Sequence, residues 1–379
     1  MKVLITGTHF TPAVAVAEEL QKFAGVKLIY VGRKSTLEGD KTPSIESKLL
    51  PTLGVKFIPI IAGRIQRVLT PYTIPSLFKI PIGFIQALYI ILSEKPDVIL
   101  SFGGYVAVPI VIVGWLFSIP IIIHEQTMVS GLANKISSLF ADKIAVSFEQ
   151  DVFKGEKVIL TGNPIRCEII EISRGVKLTH PRCGLDGLEV PTILVMGGNQ
   201  GSHVINLAVE EVLNKLTKLA YVIHATGDNK YGDFERLERL GRSGKLGRFR
   251  ERYLVKKWIG KGYGAILKKV DLVISRAGIN TLTELAYLGK PALVIPIPYL
   301  YQDEQARNAK FFASLGLTKI LPQSKLSGET LFQAIKLMLA DLSRLKVKAK
   351  AAKKIVIPDS AKRLALETIL LGQKIGSEV

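Results

Sequence analysis

Cysteine is nearly absent: Cys167 and Cys183 are the only two in 379 residues. That is too few for a disulfide framework, and no zinc-ligand spacing surrounds them. The five histidines are scattered and no Asp-x-Asp pair occurs, so no metal site and no cofactor is expected. Aromatic residues make up only 7%. Without a recognition helix, zinc finger or RNA-binding signature, nucleic acid is not the expected partner. Acidic residues are also short, 32 against 51 basic ones, which leaves a net charge of +19. With hydrophobic residues at 48%, that surplus fits an anionic membrane face or a phosphorylated substrate. No leader pattern marks the N-terminus, so a reduced, cytoplasmic protein is expected.

Charge is missing altogether from Val98 to Ile123, and "VAVPIVIVGWLFSIPIII" is long enough to raise a membrane span. Gly103 and Gly104 at its start, Pro109 and Pro120 inside it, and His124-Glu125 directly after it argue otherwise. The run reads as strand "DVILS", a glycine turn, a buried helix near Pro109 to Ser118, and strand "PIIIHE". Parallel sheets covered on both faces have strands of this kind.

Short β-branched runs alternate with helical patterns along the whole chain. "KVLIT", "VKLIYVG", "VKFIPI", "DVILS", "PIIIHE" and "KIAVSF" belong to a first set, and "TILVMGG", "AYVIHATG", "RYLVKKWI", "VDLVISRAG" and "PALVIPIP" to a second. The expected fold is α/β, with two Rossmann-like domains whose parallel sheets face an interdomain cleft. Residues 1–166 form the first domain and 167–357 the second, with Glu168 to Val190 as an irregular connector. A final helix at about 358–379, capped by Asp359 or Ser360, ends the chain; in two-domain folds of this type it often packs back on the first domain.

The turns after the strands hold the chemistry. Gly197, Gly198 and Gly201 precede a helix starting near Ser202, a geometry that suits a diphosphate but also serves as a plain structural turn. Glu284, one and a half turns into the helix after "SRAG", can accept from a ribose diol. Glu304, Gln305 and Asn308 form a polar cluster suited to a polyhydroxylated ring. At the end of the first strand stand His9 and Thr11, and a neutral imidazole there can take a proton from an attacking hydroxyl.

"SFGGYVAVP", "HEQ", "LTGNPIR", "MGGNQGSHVIN" and "SRAGINTLTELAYLGKPALVIP" through "DEQARNA" resemble, in order and spacing, the MurG family of lipid-linked N-acetylglucosaminyltransferases of peptidoglycan synthesis. The resemblance covers most of the chain and implies a GT-B fold. It implies inverting transfer of N-acetylglucosamine from UDP-N-acetylglucosamine to the C4 hydroxyl of undecaprenyl-diphospho-MurNAc-pentapeptide (lipid I), giving lipid II. On the donor side it implies Thr8, Arg166, Gly198, Asn199, Gln200, Gly201, Gly278 and Thr281 around the nucleotide sugar, with Ile259 pairing uracil through its backbone. Glu284 would hold the ribose, and Glu304 with Gln305 would read the sugar. His9 and Glu125 are the implied catalytic residues, and Gly103, Gly104, Tyr105, Gln126 and Thr127 line the acceptor side.

Three departures stand out. The family's "GGTGGH" is "LITGTH" here and keeps only Gly7 of those glycines; the asparagine after "HEQ" is Thr127; the serine of "GGSQG" is Asn199. Residues 64–94 mix Arg64, Arg67 and Lys79 with Phe78, Ile80, Phe84 and Leu88, which describes either a buried helix face or a surface lying on anionic lipid. The expected location is therefore the cytoplasmic membrane face, as a peripheral protein, with cell-wall synthesis proteins as further partners. The rival acceptor is diacylglycerol. A nicotinamide dehydrogenase is disfavoured because "GGNQGS" lacks the G-x-G-x-x-G spacing.

Overall fold

The computed structural model describes residues 1–34, 44–63, 73–149, 151–176, 189–198, 200–260 and 262–374. The chain divides into two compact units, one of Met1–Arg166 with Ile357–Val379 and one of Cys167–Val356.

The first unit holds seven strands: β1 (Lys2–Thr6), β2 (Lys27–Gly32), β3 (Lys56–Pro59), β4 (Val98–Ser101), β5 (Ile121–Glu125), β6 (Lys143–Val146) and β7 (Val158–Leu160). All pair in parallel, in the order β3-β2-β1-β4-β5-β6-β7. Their apolar runs follow from helices covering both faces. Val3 and Ile5 join one core cluster while Leu4 joins the other, the alternation of a pleated strand.

The uncharged run is resolved as strand, helix Ala107–Leu116 and strand. Pro109 sits in that helix's first turn, where its missing N–H leaves no bond unmade. Among the described residues no helix is long and apolar enough to cross a membrane.

The second unit repeats the plan with β8 (Thr192–Met196), β9 (Tyr221–Ala225), β10 (Tyr253–Lys256), β11 (Leu272–Ser275), β12 (Ala292–Val294) and β13 (Thr318–Ile320), ordered β10-β9-β8-β11-β12-β13 and all parallel. In each sheet the chain runs outward from a central strand and then reverses. The reversal falls between β1 and β4 in one sheet and between β8 and β11 in the other. Doubly wound sheets bind their ligands outside the carboxyl ends of the strands at such a reversal.

The irregular connector expected from Glu168 to Val190 needs correction over its first turns. Cys167–Ser173 is a helix, because Ile169 and Ile172, one turn apart, are buried against helix Tyr263–Lys269. Glu168 Oε1 accepts from the Gly264 amide at 3.2 Å, and Lys268 Nζ donates to the Ile172 carbonyl at 2.8 Å. Cys183 and Pro181 lie outside the described residues.

The last helix, Ser360–Lys374, buries Ala361, Leu364, Ala365, Ile369 and Leu371 in the cluster that includes Val16 and Leu20 of helix Phe10–Leu20. Lys143 pairs with Glu367, and Ser360 Oγ donates to the Asn163 carbonyl at 2.9 Å.

Helix Thr73–Glu94 spans most of the basic and apolar segment; Arg64 and Arg67 lie outside the described residues. Ala87, Ile90 and Ile91 are its buried side. Phe78, Ile82, Ile85, Tyr89 and Leu92 are exposed at intervals of four, three, four and three residues, a second apolar stripe with nothing described over it.

Candidate active site

Where the strand order of the first sheet reverses, the loops after β1 and β4 are in contact. Gly7 has φ +139°, and a side chain there would meet the Gly103 carbonyl oxygen and the Phe102 carbonyl carbon at 2.9 Å. The Thr8 amide donates to that same Gly103 carbonyl at 3.0 Å. Thr8 Oγ1 in turn lies 2.2 Å from where a Gly104 Cβ would stand. Thr8, Gly103 and Gly104 are thus brought together, with Tyr105 half-buried beside them.

His9 follows directly and is the N-cap of helix Phe10–Leu20, without a side-chain cap bond. Its ring keeps some surface open, yet the packed protein around it lowers its pKa to about 4, and the charge of Arg33 pushes the same way. At neutral pH the imidazole is therefore uncharged and has a lone pair available.

Glu125 ends β5. Its side chain is 1% exposed. Oε1 accepts from the Thr127 amide at 2.9 Å and hydroxyl at 2.7 Å, while Oε2 accepts from Asn134 Nδ2 at 2.9 Å and from Ser130 Oγ and the Gly131 amide at 3.3 Å. These bonds all lie within one loop, so the carboxylate orders the segment from Thr127 to Asn134. Asn134, unremarked in the sequence, ties Glu125 to the glycine turn: its Oδ1 lies 2.4 Å from where a Gly103 Cβ would be. Gln126, beside His124, is 1% exposed. His124 is fully buried, with Nε2 3.2 Å from the Gly162 carbonyl, and burial lowers its pKa to about 4.

In the second unit the turn after β8 lies against the end of β9. Gly201 has φ +75°, and a Cβ there would stand 1.8 Å from the Thr226 carbonyl oxygen. Gln200 is exposed next to it; Asn199 lies outside the described residues. Behind the turn, Asn206 Nδ2 donates to the Thr226 carbonyl at 3.0 Å and to Asp233 at 2.7 Å, and its Oδ1 meets His224 Nε2 at 3.0 Å. This fully buried network fixes the start of helix His203–Leu219 relative to the β9 loop.

Ser202 is the N-cap of that helix but does not cap it through its side chain; its Oγ accepts from Arg276 Nε at 3.1 Å. Arg276, the first residue past β11, was missed by sequence reasoning. Only 8% exposed, it donates through Nη1 to the Ile295 carbonyl at 2.9 Å, and burial lowers its pKa.

Gly278 is the N-cap of helix Ile279–Leu288, on which Thr281 is half-buried and Glu284 is 2% exposed. Asn308 Nδ2 donates to the Ala277 carbonyl at 3.2 Å, which ties helix Glu304–Ser314 to the same turn. Gln305 Oε1 accepts from the Ile297 amide at 3.1 Å. Glu304 and Ile259 are half-buried, the latter just past β10. Arg166, half-buried, is the last residue of the first unit's opening segment.

Two domain families match this chain: the glycosyltransferase family 28 N-terminal domain over residues 4–146 and its C-terminal domain over residues 192–364. A UDP-N-acetylglucosamine--N-acetylmuramyl-(pentapeptide) pyrophosphoryl-undecaprenol N-acetylglucosamine transferase of Desulforamulus reducens is 35% identical over 94% of this chain and 93% of its own length. The chain belongs to the MurG family of glycosyltransferases. A Bacillus cereus protein of the same description, numbered 1, is 32% identical over 96% of this chain and 97% of its own. Among solved structures, Acinetobacter baumannii MurG superposes with a TM-score of 0.67 at 25% identity, covering 97% of this chain and 99% of that one.

Two departures from the MurG pattern now have a physical reading. Gly7, the glycine that is kept, is the one at which a side chain would strike the β4 loop, whereas Thr8 and His9 have negative or unremarkable φ. Thr127 offers both its amide and its hydroxyl to Glu125, so it takes part in ordering the loop.

Proposed function

We propose that this protein transfers N-acetylglucosamine from UDP-N-acetylglucosamine to the C4 hydroxyl of undecaprenyl-diphospho-MurNAc-pentapeptide, with inversion. The observation that carries the reading is likeness over nearly the full length, in both domains, to proteins described by that activity.

In this reading the second unit holds the donor. The turn through Gly198, Asn199, Gln200 and Gly201, with Gly278 and Thr281 at the next helix start, presents backbone amides to the diphosphate. Thr8 and Arg166 add to it. Ile259 pairs with uracil, Glu284 takes the ribose hydroxyls, and Glu304 and Gln305 read the sugar. In the first unit His9 accepts the proton of the acceptor hydroxyl as that oxygen bonds to the anomeric carbon. The bond from that carbon to the diphosphate breaks, and UDP leaves with the electron pair. Gly103, Gly104, Tyr105, Gln126 and Thr127 form the acceptor side, braced by Glu125. The supporting fact for His9 is a ring kept neutral at the end of β1.

The exposed stripe on helix Thr73–Glu94, with exposed Trp115, Leu116 and Phe117 at the end of the helix packed beside it, is in this reading the face that rests on an anionic bilayer. A lipid-linked acceptor requires such contact.

The test is incorporation of labelled N-acetylglucosamine into lipid I and, separately, into diacylglycerol, with and without EDTA. Labelling of lipid I alone, unaffected by EDTA, is expected. Labelling of diacylglycerol alone would assign a different acceptor to the same fold.

A further inference from the structure

Among the described residues Arg276 is a charge without a counter-charge. Among the described residues its acceptors are a hydroxyl, Ser202 Oγ at 3.1 Å, and a carbonyl, that of Ile295 at 2.9 Å, and no carboxylate lies within ion-pair distance. A guanidinium that is 8% exposed has given up most of its hydration, and neutral dipoles replace only part of it. Folded proteins seldom keep such a group without an anion, present or arriving.

Its place narrows what that anion is. Arg276 is the first residue beyond β11, at the reversal of strand order between β8 and β11, the place where doubly wound sheets bind their ligands. Through Nε it holds the N-cap hydroxyl of helix His203–Leu219 away from the helix's own first-turn amides. Those amides, free of a side-chain cap, and the guanidinium therefore stand together at one helix start. A diprotic or higher anion suits that combination, since one oxygen can meet the amides while another meets the planar fork.

We infer that Arg276 is the protein's counter-charge for the diphosphate of the nucleotide sugar, completing with the start of helix His203–Leu219 an anion site and offsetting the charge that develops as UDP departs. This rests on the reading of the second unit as the donor-binding unit. It adds a residue to that reading and gives the buried cation a function: its unfavourable burial in the free protein is relieved only when the diphosphate arrives.

The test compares UDP with uridine, which shares the base and ribose and lacks the phosphates. Calorimetry with UDP, and line broadening of uridine resonances, are run on the wild type, Arg276→Met and Arg276→Lys. The expected result is about a hundredfold loss of UDP affinity in the Met variant and about tenfold in the Lys variant, which keeps a charge and loses the fork. Uridine binding stays within about threefold, as uridine carries no phosphate for the guanidinium to meet. Without nucleotide the Met variant melts at or above the wild-type temperature, because an uncompensated charge has been removed. Equal losses for UDP and uridine, or collapse of cooperative melting in both variants, would make Arg276 a structural strut and overturn the inference. So would unchanged UDP affinity in the Met variant. If the wild type itself bound no UDP, the donor reading would fail first, independently of Arg276.

Discussion

Asn134 donates to Glu125 Oε2 at 2.9 Å, and with four other donors it turns that carboxylate into the hub of the loop from Thr127 to Gly131. A hub and a catalytic group respond differently to substitution. Glu125→Gln replaces one acceptor oxygen by a donor amide inside a ring of donors, so a loss of about 2–3 kcal/mol in unfolding free energy is expected, with turnover falling alongside. Denaturant unfolding measures it. Wild-type stability with abolished turnover would instead place the carboxylate on the substrate.

Two glycines of the donor unit are expected to diverge. Gly201→Ala puts a methyl 1.8 Å from the Thr226 carbonyl in a left-handed conformation, whereas a methyl on Gly278, at φ −71°, meets nothing within 4 Å. The first change displaces the turn, and UDP affinity in calorimetry falls at least about tenfold, the equivalent of ~1.4 kcal/mol. The second leaves the melting temperature within about two degrees of wild type, as for a substitution without strain. Equal behaviour of the two variants would contradict the close approach at Gly201.

Stability is expected to fall on mild acidification. Burial lowers the pKa of His9 and His124 to about 4 and that of His224 to about 3, below the ordinary value of 6.5. The unfolded chain therefore takes up protons from pH 6.5 downward while the folded one does not. The stabilising contribution is complete above pH 6.5 and is lost progressively toward pH 4. Each imidazole accounts for on the order of 2 kcal/mol at pH 5. His124→Gln should flatten the dependence between pH 7 and 5, a window above most carboxylate titration. An unfolding free energy independent of pH across it would show that these rings are solvated.

Lipid contact is testable without touching either proposed substrate site. Ile85 and Tyr89 are 68% and 72% exposed, so glutamate at either position leaves folding and UDP affinity unchanged. Binding to vesicles containing anionic phospholipid should drop about tenfold or more for the double variant, as apolar burial is lost and negative charge added. Undiminished vesicle binding would move the membrane face elsewhere on the molecule.

The strands were legible because sheets covered on both faces demand continuous apolar runs, and "DVILS" and "PIIIHE" stand where that rule puts them. The glycine turns were legible because steric closeness leaves a residue-type signature, as at Gly7 and Gly201. What escaped depends on partners far along the chain. Arg276 looks like an ordinary strand-end arginine until Ser202, 74 residues earlier, and the Ile295 carbonyl are seen to hold it. The partners of Glu125 were equally hidden: only the folded loop brings the donors of Ser130 and Asn134 onto its carboxylate. Helix Cys167–Ser173 is a single amphipathic contact two turns long, too short to register as a periodicity.

Incubation with UDP-N-acetylglucosamine and lipid I, followed by mass spectrometry of the lipid product and nuclear magnetic resonance of the new glycosidic linkage, tests the central claim most directly. The account predicts addition of one N-acetylhexosamine to the muramoyl C4 oxygen, in the β configuration opposite to that of the donor. An unmodified lipid, or a product with the donor's own anomeric configuration, would contradict it.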